Sequence, residues 1–271
     1  MITDYTLSEI YIYPVKSLGG IKVLESEVTD RGLKHDRMRM LIDADNNFLS
    51  QRNTPEMALL QTELNDEYIR VFHKHNLKLE IKIPLDLNPK TDAPYKEVLL
   101  WDESVNVKVY EQNINEWFRD ILKIECRLVY MPFESKRLVD TRYAFNGEIA
   151  SLSDGYPFLI LGQESLNLLN SKLQIKLPID RFRPNFVFTG GEPHDEDTWQ
   201  NFTIGPINFK AVKPCSRCVI TTTNQDSGKR GKEPLKTLAA YRTQNNKVMF
   251  GQNLLHSGTG YVKVGDKIRL K

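Results

Sequence analysis

Apolar and polar residues alternate over several short stretches within residues 1–112. In residues 77–83 every second residue is leucine or isoleucine, with lysine or glutamate between them. This period of two is typical of a strand with one buried and one solvated face. Residues 104–110 repeat the pattern with three valines. Many short strands with few helices between them predict a barrel or a strongly curled antiparallel sheet.

The 3.6-residue period of an amphipathic helix appears in residues 113–124, 163–173 and 233–242. Asn113 followed by Glu116 predicts a capping box at the start of the first helix. Strands resume later in the chain, and the β-branched run CVITTT at residues 218–223 favours one of them. We therefore predict a mainly β fold with flanking helices (α+β). Its two β-rich halves are residues 1–125 and 126–271.

Composition restricts the partners. The 271 residues carry a formal charge of only +2, so no strong global field favours nucleic acid or membranes, and any anion site must be local. No apolar run approaches the roughly 20 residues of a membrane-spanning helix. The N-terminus lacks a signal-peptide pattern, and three cysteines predict a reducing compartment. We expect a cytoplasmic protein.

Cys215 and Cys218 form a CxxC pair that allows several interpretations. Structural zinc normally needs four ligands, but only Cys126 remains among the cysteines and the five histidines are scattered. A dithiol oxidoreductase usually places the pair at a helix N-terminus, and free cysteines often simply fill a core. Lys213 and Arg217 bracket the thiols, and nearby cations favour the thiolate, a soft ligand for a thiophilic metal.

Eight motifs occur in order over residues 10–270, and together they resemble the MOSC proteins, whose name refers to the C-terminal domain of molybdenum cofactor sulfurases. The resemblance is greatest to the branch with an N-terminal β-barrel half, which includes the amidoxime-reducing components. The motifs are IYPVKSLGGIKV, RGLKHDRMRMLID, FLSQR, DGYPFLILGQESL, IDRFRPNFVF, VKPCSRCVITTTNQDSG, EPLKTLAAYR and FGQNL.

The resemblance implies an N-terminal MOSC β-barrel half packed on a MOSC β-barrel half. It also implies a molybdenum cofactor, in which a molybdopterin grips the metal and a phosphate anchors the pterin. The metal ligand is then the second cysteine of the CSRC motif, Cys218. The positions that match cofactor contacts of the family are Lys16, Ser17, Arg37, Arg183 and Asn185, and Ser216 and Arg217 flank the ligand with further donors.

Asp154 matches an acidic position near the metal, where a carboxylate can position substrate or relay protons. Its alternative role is a turn, because Asp-Gly sequences favour turns. Two departures from the family lie near the implied cofactor. Gly155 and Tyr156 stand where relatives often carry hydroxyl residues, and Asn253 stands where they can have tyrosine, which leaves substrate preference open.

The predicted function is reduction of small N-hydroxylated compounds, or of N- or S-oxides, by a molybdenum oxidoreductase. Electrons are expected from an external protein of the ferredoxin, flavodoxin or cytochrome/reductase type. No cysteine follows Cys218 to build an iron–sulfur centre. The alternative is a carrier of the cofactor or of sulfur without turnover of its own. The pyridoxal phosphate-dependent half of the sulfurases is not in this sequence, so self-sufficient desulfuration is not expected.

Overall fold

The computed structural model describes residues 4–85, 95–144 and 146–271. The strands are β1 Tyr5–Ile12, β2 Ile21–Val23, β3 Glu25–Thr29, β4 Gly32–Leu33, β5 Arg39–Ile42, β6 Leu60–Leu64, β7 Tyr68–His73, β8 Asn76–Pro84, β9 Lys96–Leu100, β10 Glu103–Val109, β11 Arg127–Tyr130, β12 Phe158–Gly162, β13 Phe186–Thr189, β14 Asn201–Ile204, β15 Ile207–Ser216, β16 Thr243–Gln244, β17 Lys247–Ser257, β18 Gly260–Lys263 and β19 Lys267–Leu270. The α-helices are α1 Gln112–Leu122, α2 Gln163–Ser171 and α3 Leu235–Arg242, and the short 3-10 helices are Pro55–Leu59, Ile179–Phe182, Asp195–Asp197 and Val219–Thr222.

Seven strands form a closed barrel. They follow the order β12, β13, β1, β19, β14, β15 and β17, and β17 pairs back onto β12. Only β12 and β13 run parallel, while the other neighbours are antiparallel. The barrel is filled by aromatic side chains such as Phe158, Phe186 and Phe209, whose ring centroids lie 5.3 to 5.5 Å apart. Closure leaves no free edge in this ring of strands.

The remaining strands form smaller sheets beside the barrel. One has the order β5, β11, β10, β9, and another has the order β6, β7, β8. Helix α1 packs its apolar stripe, including the fully buried Phe118, into the core between them. Val105 and Val107 on β10 point into a neighbouring core, as the alternation in residues 104–110 predicts. The mainly β fold with flanking helices is confirmed.

Three local predictions are wrong. Strand β8 forms, but Leu77 is 58% exposed and Leu79 39%, because this edge strand covers the core only near Ile83. Residues 219–222 form a 3-10 helix rather than a strand, with threonine hydroxyls bonded to carbonyls three residues back. Helix α1 starts at Gln112, and no side chain caps it.

Strand pairing crosses the predicted boundary at residue 125. Strand β1 pairs with β13 and β19, and β3 pairs with β18. The N-terminal strand therefore belongs to the barrel built by the second half, while the division into residues 1–125 and 126–271 stays a prediction. In the described ranges, no helix is long and apolar enough to span a membrane.

Candidate cofactor site

A cavity of about 160 Å³ opens at one end of the barrel. Chain segments that lead into or out of several strands meet there: the loops before β12 and β13, the end of β15, and the loops on either side of the short strands β2–β4. All twelve residues predicted for the site line this cavity, although they span residues 16 to 253: Lys16, Ser17, Arg37, Asp154, Gly155, Tyr156, Arg183, Asn185, Ser216, Arg217, Cys218 and Asn253.

The cavity is strongly cationic. Its lining includes six cationic side chains, Lys16, Arg37, Arg52, Arg181, Arg183 and Arg217, and a single carboxylate, Asp154. In a protein with a formal charge of only +2, this is a local concentration of positive charge. Cations gathered in a partly buried cleft act on a bound anion more strongly than the same charges do in water.

Three of the residues that line the cavity have left-handed backbone conformations. The φ angles are 69° at Ser17, 48° at Arg37 and 53° at Arg183. Non-glycine residues rarely adopt a positive φ, and such residues concentrate at functional sites. At each of these positions the surrounding fold holds a side chain over the cavity at a cost in backbone energy.

Tyr13 supports two of the arginines. The guanidinium carbons of Arg37 and Arg183 each lie 4.2 Å from the centroid of its ring. Asp36 completes the arrangement, because it accepts hydrogen bonds of 3.0 and 2.8 Å from Arg37 Nη1 and one of 2.8 Å from the Tyr13 backbone N–H. Burial acts to lower the pKa of Arg37, but the paired Asp36 raises it above its ordinary value.

Arg183 is less compensated than Arg37. Its Nη1 donates to the Leu18 carbonyl at 2.7 Å, and burial lowers the pKa of Arg183 to about 10. Its Nη2 is buried and has no hydrogen-bond partner among the described residues. The same holds for Nε of Arg181, Nε of Arg217 and Nη1 of Arg52. Buried polar groups are normally satisfied, so this wall retains unused capacity to bind an anion.

Lys16 and Arg52 share the one carboxylate. Lys16 is 5% exposed, and its Nζ lies 2.9 Å from the Leu152 carbonyl and 2.5 Å from Asp154 Oδ1. Arg52 Nη2 lies 3.4 Å from Asp154 Oδ2. Burial lowers the pKa of Lys16 to about 8, with partial compensation by Asp154. The Asp154 side chain is 59% exposed. Desolvation at the cavity wall acts to raise its pKa, but Lys16 and Arg52 together hold the pKa well below its usual range.

The two asparagines bind mainly to the protein itself. The Asn185 side chain donates to the Tyr11 carbonyl at 3.2 Å and accepts from the Leu159 N–H and from Arg37, each at 3.2 Å. It therefore ties two barrel strands to an arginine of the cavity. Asn253 donates to the Lys213 carbonyl at 3.1 Å. Direct contact of either residue with a cofactor stays a prediction.

The two cysteines differ in their partners. Arg217 Nη1 lies 2.9 Å from Cys215 Sγ, while Lys213 points to the Tyr143 ring at 4.8 Å. The expected cation beside the thiols is therefore Arg217, and it contacts Cys215. In the described ranges, no side chain bonds Cys218 Sγ, and no group of three or more His, Cys, Asp or Glu residues could hold a metal ion. The protein leaves the Cys218 sulfur available at the cavity.

The sequence reasoning missed two cations of the lining, Arg52 and Arg181. Both lie inside motifs that carry the resemblance, FLSQR and IDRFRPNFVF. Their roles depend on tertiary contacts, such as the bond of Arg181 Nη1 to the Thr221 carbonyl at 3.3 Å. The motif marks the segment, but the fold decides which of its residues faces the cavity.

Comparison with known proteins identifies the family. The MOSC N-terminal beta barrel domain matches residues 4–125, and the MOSC domain matches residues 148–269. The mitochondrial amidoxime-reducing component 1 of Mus musculus is 30% identical over 98% of this chain and 82% of its own length. Its Homo sapiens counterpart is 31% identical with the same coverage. The chain therefore belongs to the MOSC family.

A second group of relatives is longer. A molybdenum cofactor sulfurase of Oryza sativa subsp. japonica is 32% identical over 92% of this chain, but the match spans only 32% of the sulfurase. The chain thus corresponds to about a third of that relative and to most of the amidoxime-reducing component.

Proposed function

We propose that this protein binds a molybdenum–molybdopterin cofactor in the cationic cavity and reduces small N-hydroxylated compounds, or N- or S-oxides. The observation that carries the proposal is one cavity that combines six cations with an unengaged cysteine sulfur. The cations suit a phosphate, and the sulfur suits a soft metal. The names of relatives 30 and 31% identical over 82% of their length support the same chemistry.

The residues fit the cofactor in two ways. Arg37, Arg183 and Lys16 offer charged donors for the pterin phosphate, and several guanidinium nitrogens of the cavity wall have no partner among the described residues. Cys218 offers the thiolate for molybdenum. When bound, such a cofactor supplies two-electron oxygen-atom chemistry that protein side chains cannot provide.

Proton supply falls to the chain itself. Removing oxygen from an N–OH group as water consumes two electrons and two protons. Burial lowers the pKa of Lys16 to about 8, and Lys16 Nζ donates a hydrogen bond of 2.5 Å to Asp154 Oδ1. We propose that Asp154 orients the substrate N–OH group and that the Lys16–Asp154 pair is the nearest proton source.

The electrons come from outside the chain in this proposal, from a ferredoxin, flavodoxin or cytochrome/reductase protein. The test uses cofactor-loaded protein with an amidoxime substrate. Reduced viologen should give turnover, whereas a nicotinamide donor alone should give almost none. Turnover with nicotinamide alone would reveal an internal redox centre and contradict this part of the proposal.

A second candidate function is a carrier of the cofactor or of sulfur. The contact between Arg217 and Cys215 at 2.9 Å favours it, because a guanidinium can stabilise a thiolate or a persulfide anion. Sulfane-sulfur analysis together with the viologen assay separates the two functions. Turnover supports the reductase, and bound sulfane sulfur without turnover supports the carrier.

A further inference from the structure

One exposed aromatic residue occupies an unfavourable backbone position. Strands β9 and β10 pair up to Leu100 and Glu103, so Trp101 and Asp102 form a two-residue hairpin turn. Trp101 has a φ of 61° and is 45% exposed. Turn positions with positive φ normally hold Gly, Asn or Asp, and a bulky residue there is an outlier. The chemistry of the turn does not explain a tryptophan at this position.

The contacts of the indole lead to the cavity. The Arg52 guanidinium lies 4.4 Å from the centroid of the indole, and the Phe48 ring lies 5.0 Å away. Arg52 lines the cavity and reaches Asp154, while Lys16 Nζ lies 5.4 Å from the Phe48 ring. Each of the two rings therefore contacts a cation that holds the cavity carboxylate, and both rings lie just outside the cavity lining.

We infer that Trp101 and Phe48 form an aromatic subsite at the rim of the cavity, which binds the flat, conjugated part of a substrate. This inference rests on the proposed function, because it assumes that the reacting group enters the cavity beside Asp154. A ligand that stacks at the rim can place an N–OH group inward past Arg52. Aromatic rings gain most from offset or edge contacts with other flat groups, so the subsite selects aryl substrates over alkyl ones.

The first experiment compares two amidoximes in the holoprotein with viologen as donor. Trp101→Ala should raise the KM for benzamidoxime roughly tenfold, in line with the worth of one aromatic contact. The KM for acetamidoxime, which has no ring, should stay within about twofold, because it loses no such contact. Trp101→Phe, which keeps an aromatic ring, should keep the native ratio of the two KM values. Pterin content must equal that of the native protein, so that the effect is not a loss of cofactor.

The second experiment needs no turnover. Titration with benzamidoxime in the absence of any electron donor should quench tryptophan emission in the native protein. Trp117→Phe is the matched control, because Trp117 lies on α1 in another core, and it should keep the quenching. Trp101→Phe should abolish the quenching while keeping the low KM.

A third measurement separates binding from structure. Trp101→Asn places a residue that tolerates positive φ in the turn, so this variant should melt at or above the native temperature while losing the aryl preference. The inference is overturned if Trp101→Ala keeps the native ratio of KM values or if the quenching survives Trp101→Phe. If neither amidoxime is reduced by holoprotein, the proposed function fails, and the titration still decides the subsite.

Discussion

The barrel interior consists of apolar, largely aromatic side chains, whereas the cavity at its end is lined by cationic ones. In the barrel, Phe158 and Phe186 stack at 5.3 Å with extended backbones in regular pairing. In the cavity, Arg37 and Arg183 combine left-handed backbones with shared contact to one tyrosine ring. Both regions hold buried nitrogens without partners among the described residues. In the barrel these are neutral ring nitrogens such as Trp199 Nε1, whereas in the cavity they are charged guanidinium nitrogens.

This difference indicates where stability and function reside. A left-handed non-glycine residue costs about 1–2 kcal/mol, and the cavity has three of them. Such strain persists only where the surrounding structure determines the conformation. The closed barrel supplies that support. Changes in the barrel should therefore lower stability, and changes in the cavity should lower function while stability stays nearly constant.

The largest effect is expected at the proposed metal ligand. Cys218→Ser should abolish reductase activity and alter the molybdenum electron paramagnetic resonance signal, because a hydroxyl is a much harder ligand than a thiolate. Some pterin should remain through its phosphate contacts. Cys215→Ser is the matched control and should keep most activity, because the Cys215 sulfur already contacts Arg217. Opposite behaviour of the two variants would make the ligand assignment wrong.

The barrel side of the comparison is tested by Phe186→Ala. This fully buried ring contacts Phe158 and Phe209, so its removal should lower the free energy of unfolding by about 3–5 kcal/mol. Phe133→Ala is the control. Phe133 is exposed, and its ring centroid lies 5.0 Å from the Arg31 guanidinium carbon, so the loss of this ring should cost less than about 1 kcal/mol. Denaturant titration measures both, and equal losses would refute the assignment of stability to the barrel.

A buried carboxylate beside the barrel makes the stability of the protein depend on pH. Glu196 accepts hydrogen bonds from Ser165 Oγ at 2.9 Å and from the Gly162 N–H at 3.2 Å. Burial raises the pKa of Glu196 to about 7 from an ordinary 4.5. The folded state then keeps a proton that the unfolded state has lost between these values. Its contribution to stability is therefore greatest below pH 4.5 and declines as the pH rises to 7.

The decline from this group should amount to roughly 3 kcal/mol. Glu196→Gln removes the titrating group and should flatten that part of the profile of unfolding free energy against pH. The assignment is contradicted if the unfolding free energy of the native protein does not fall relative to that of Glu196→Gln between pH 4.5 and 7.

The smallest expected effect concerns the cavity wall. Arg183→Ala removes the proposed charge-assisted contact to the pterin phosphate, and its loss should cost about 1.5–3 kcal/mol of cofactor binding. The variant should purify with much less pterin and still melt near the native temperature. Full pterin occupancy would remove Arg183 from the binding site, and a large loss of stability would contradict the separation of cavity and barrel.

The sequence allowed different kinds of prediction for the strands and for the cavity. Period-two alternation predicted strands such as β10, but it could not show that β8 is an edge strand with Leu77 exposed. Alternation reports which residues share a face and does not report what covers that face. The cavity residues came from the resemblance alone, because residues as distant as 16 and 253 meet only in the folded barrel.

Sequence patterns could not predict the backbone conformations at the site. No propensity predicts a left-handed Arg37 or a tryptophan in a tight turn, since both oppose the local preference of the residue. The contact between Arg217 and Cys215 likewise follows from how β15 ends and could not be read from the spacing. Local rules fail at this end of the barrel, as expected where a site is held by tertiary structure.

The central claim is that the cationic cavity holds a molybdenum–molybdopterin cofactor through Cys218. The most direct measurement is elemental and pterin analysis of protein purified from cells that make the cofactor, for the native chain and for Cys218→Ser. Our account predicts equimolar molybdenum and pterin in the native protein, and a larger loss of molybdenum than of pterin in the variant. Bound zinc that both Cys215→Ser and Cys218→Ser lose, with no pterin in the native protein, would contradict it.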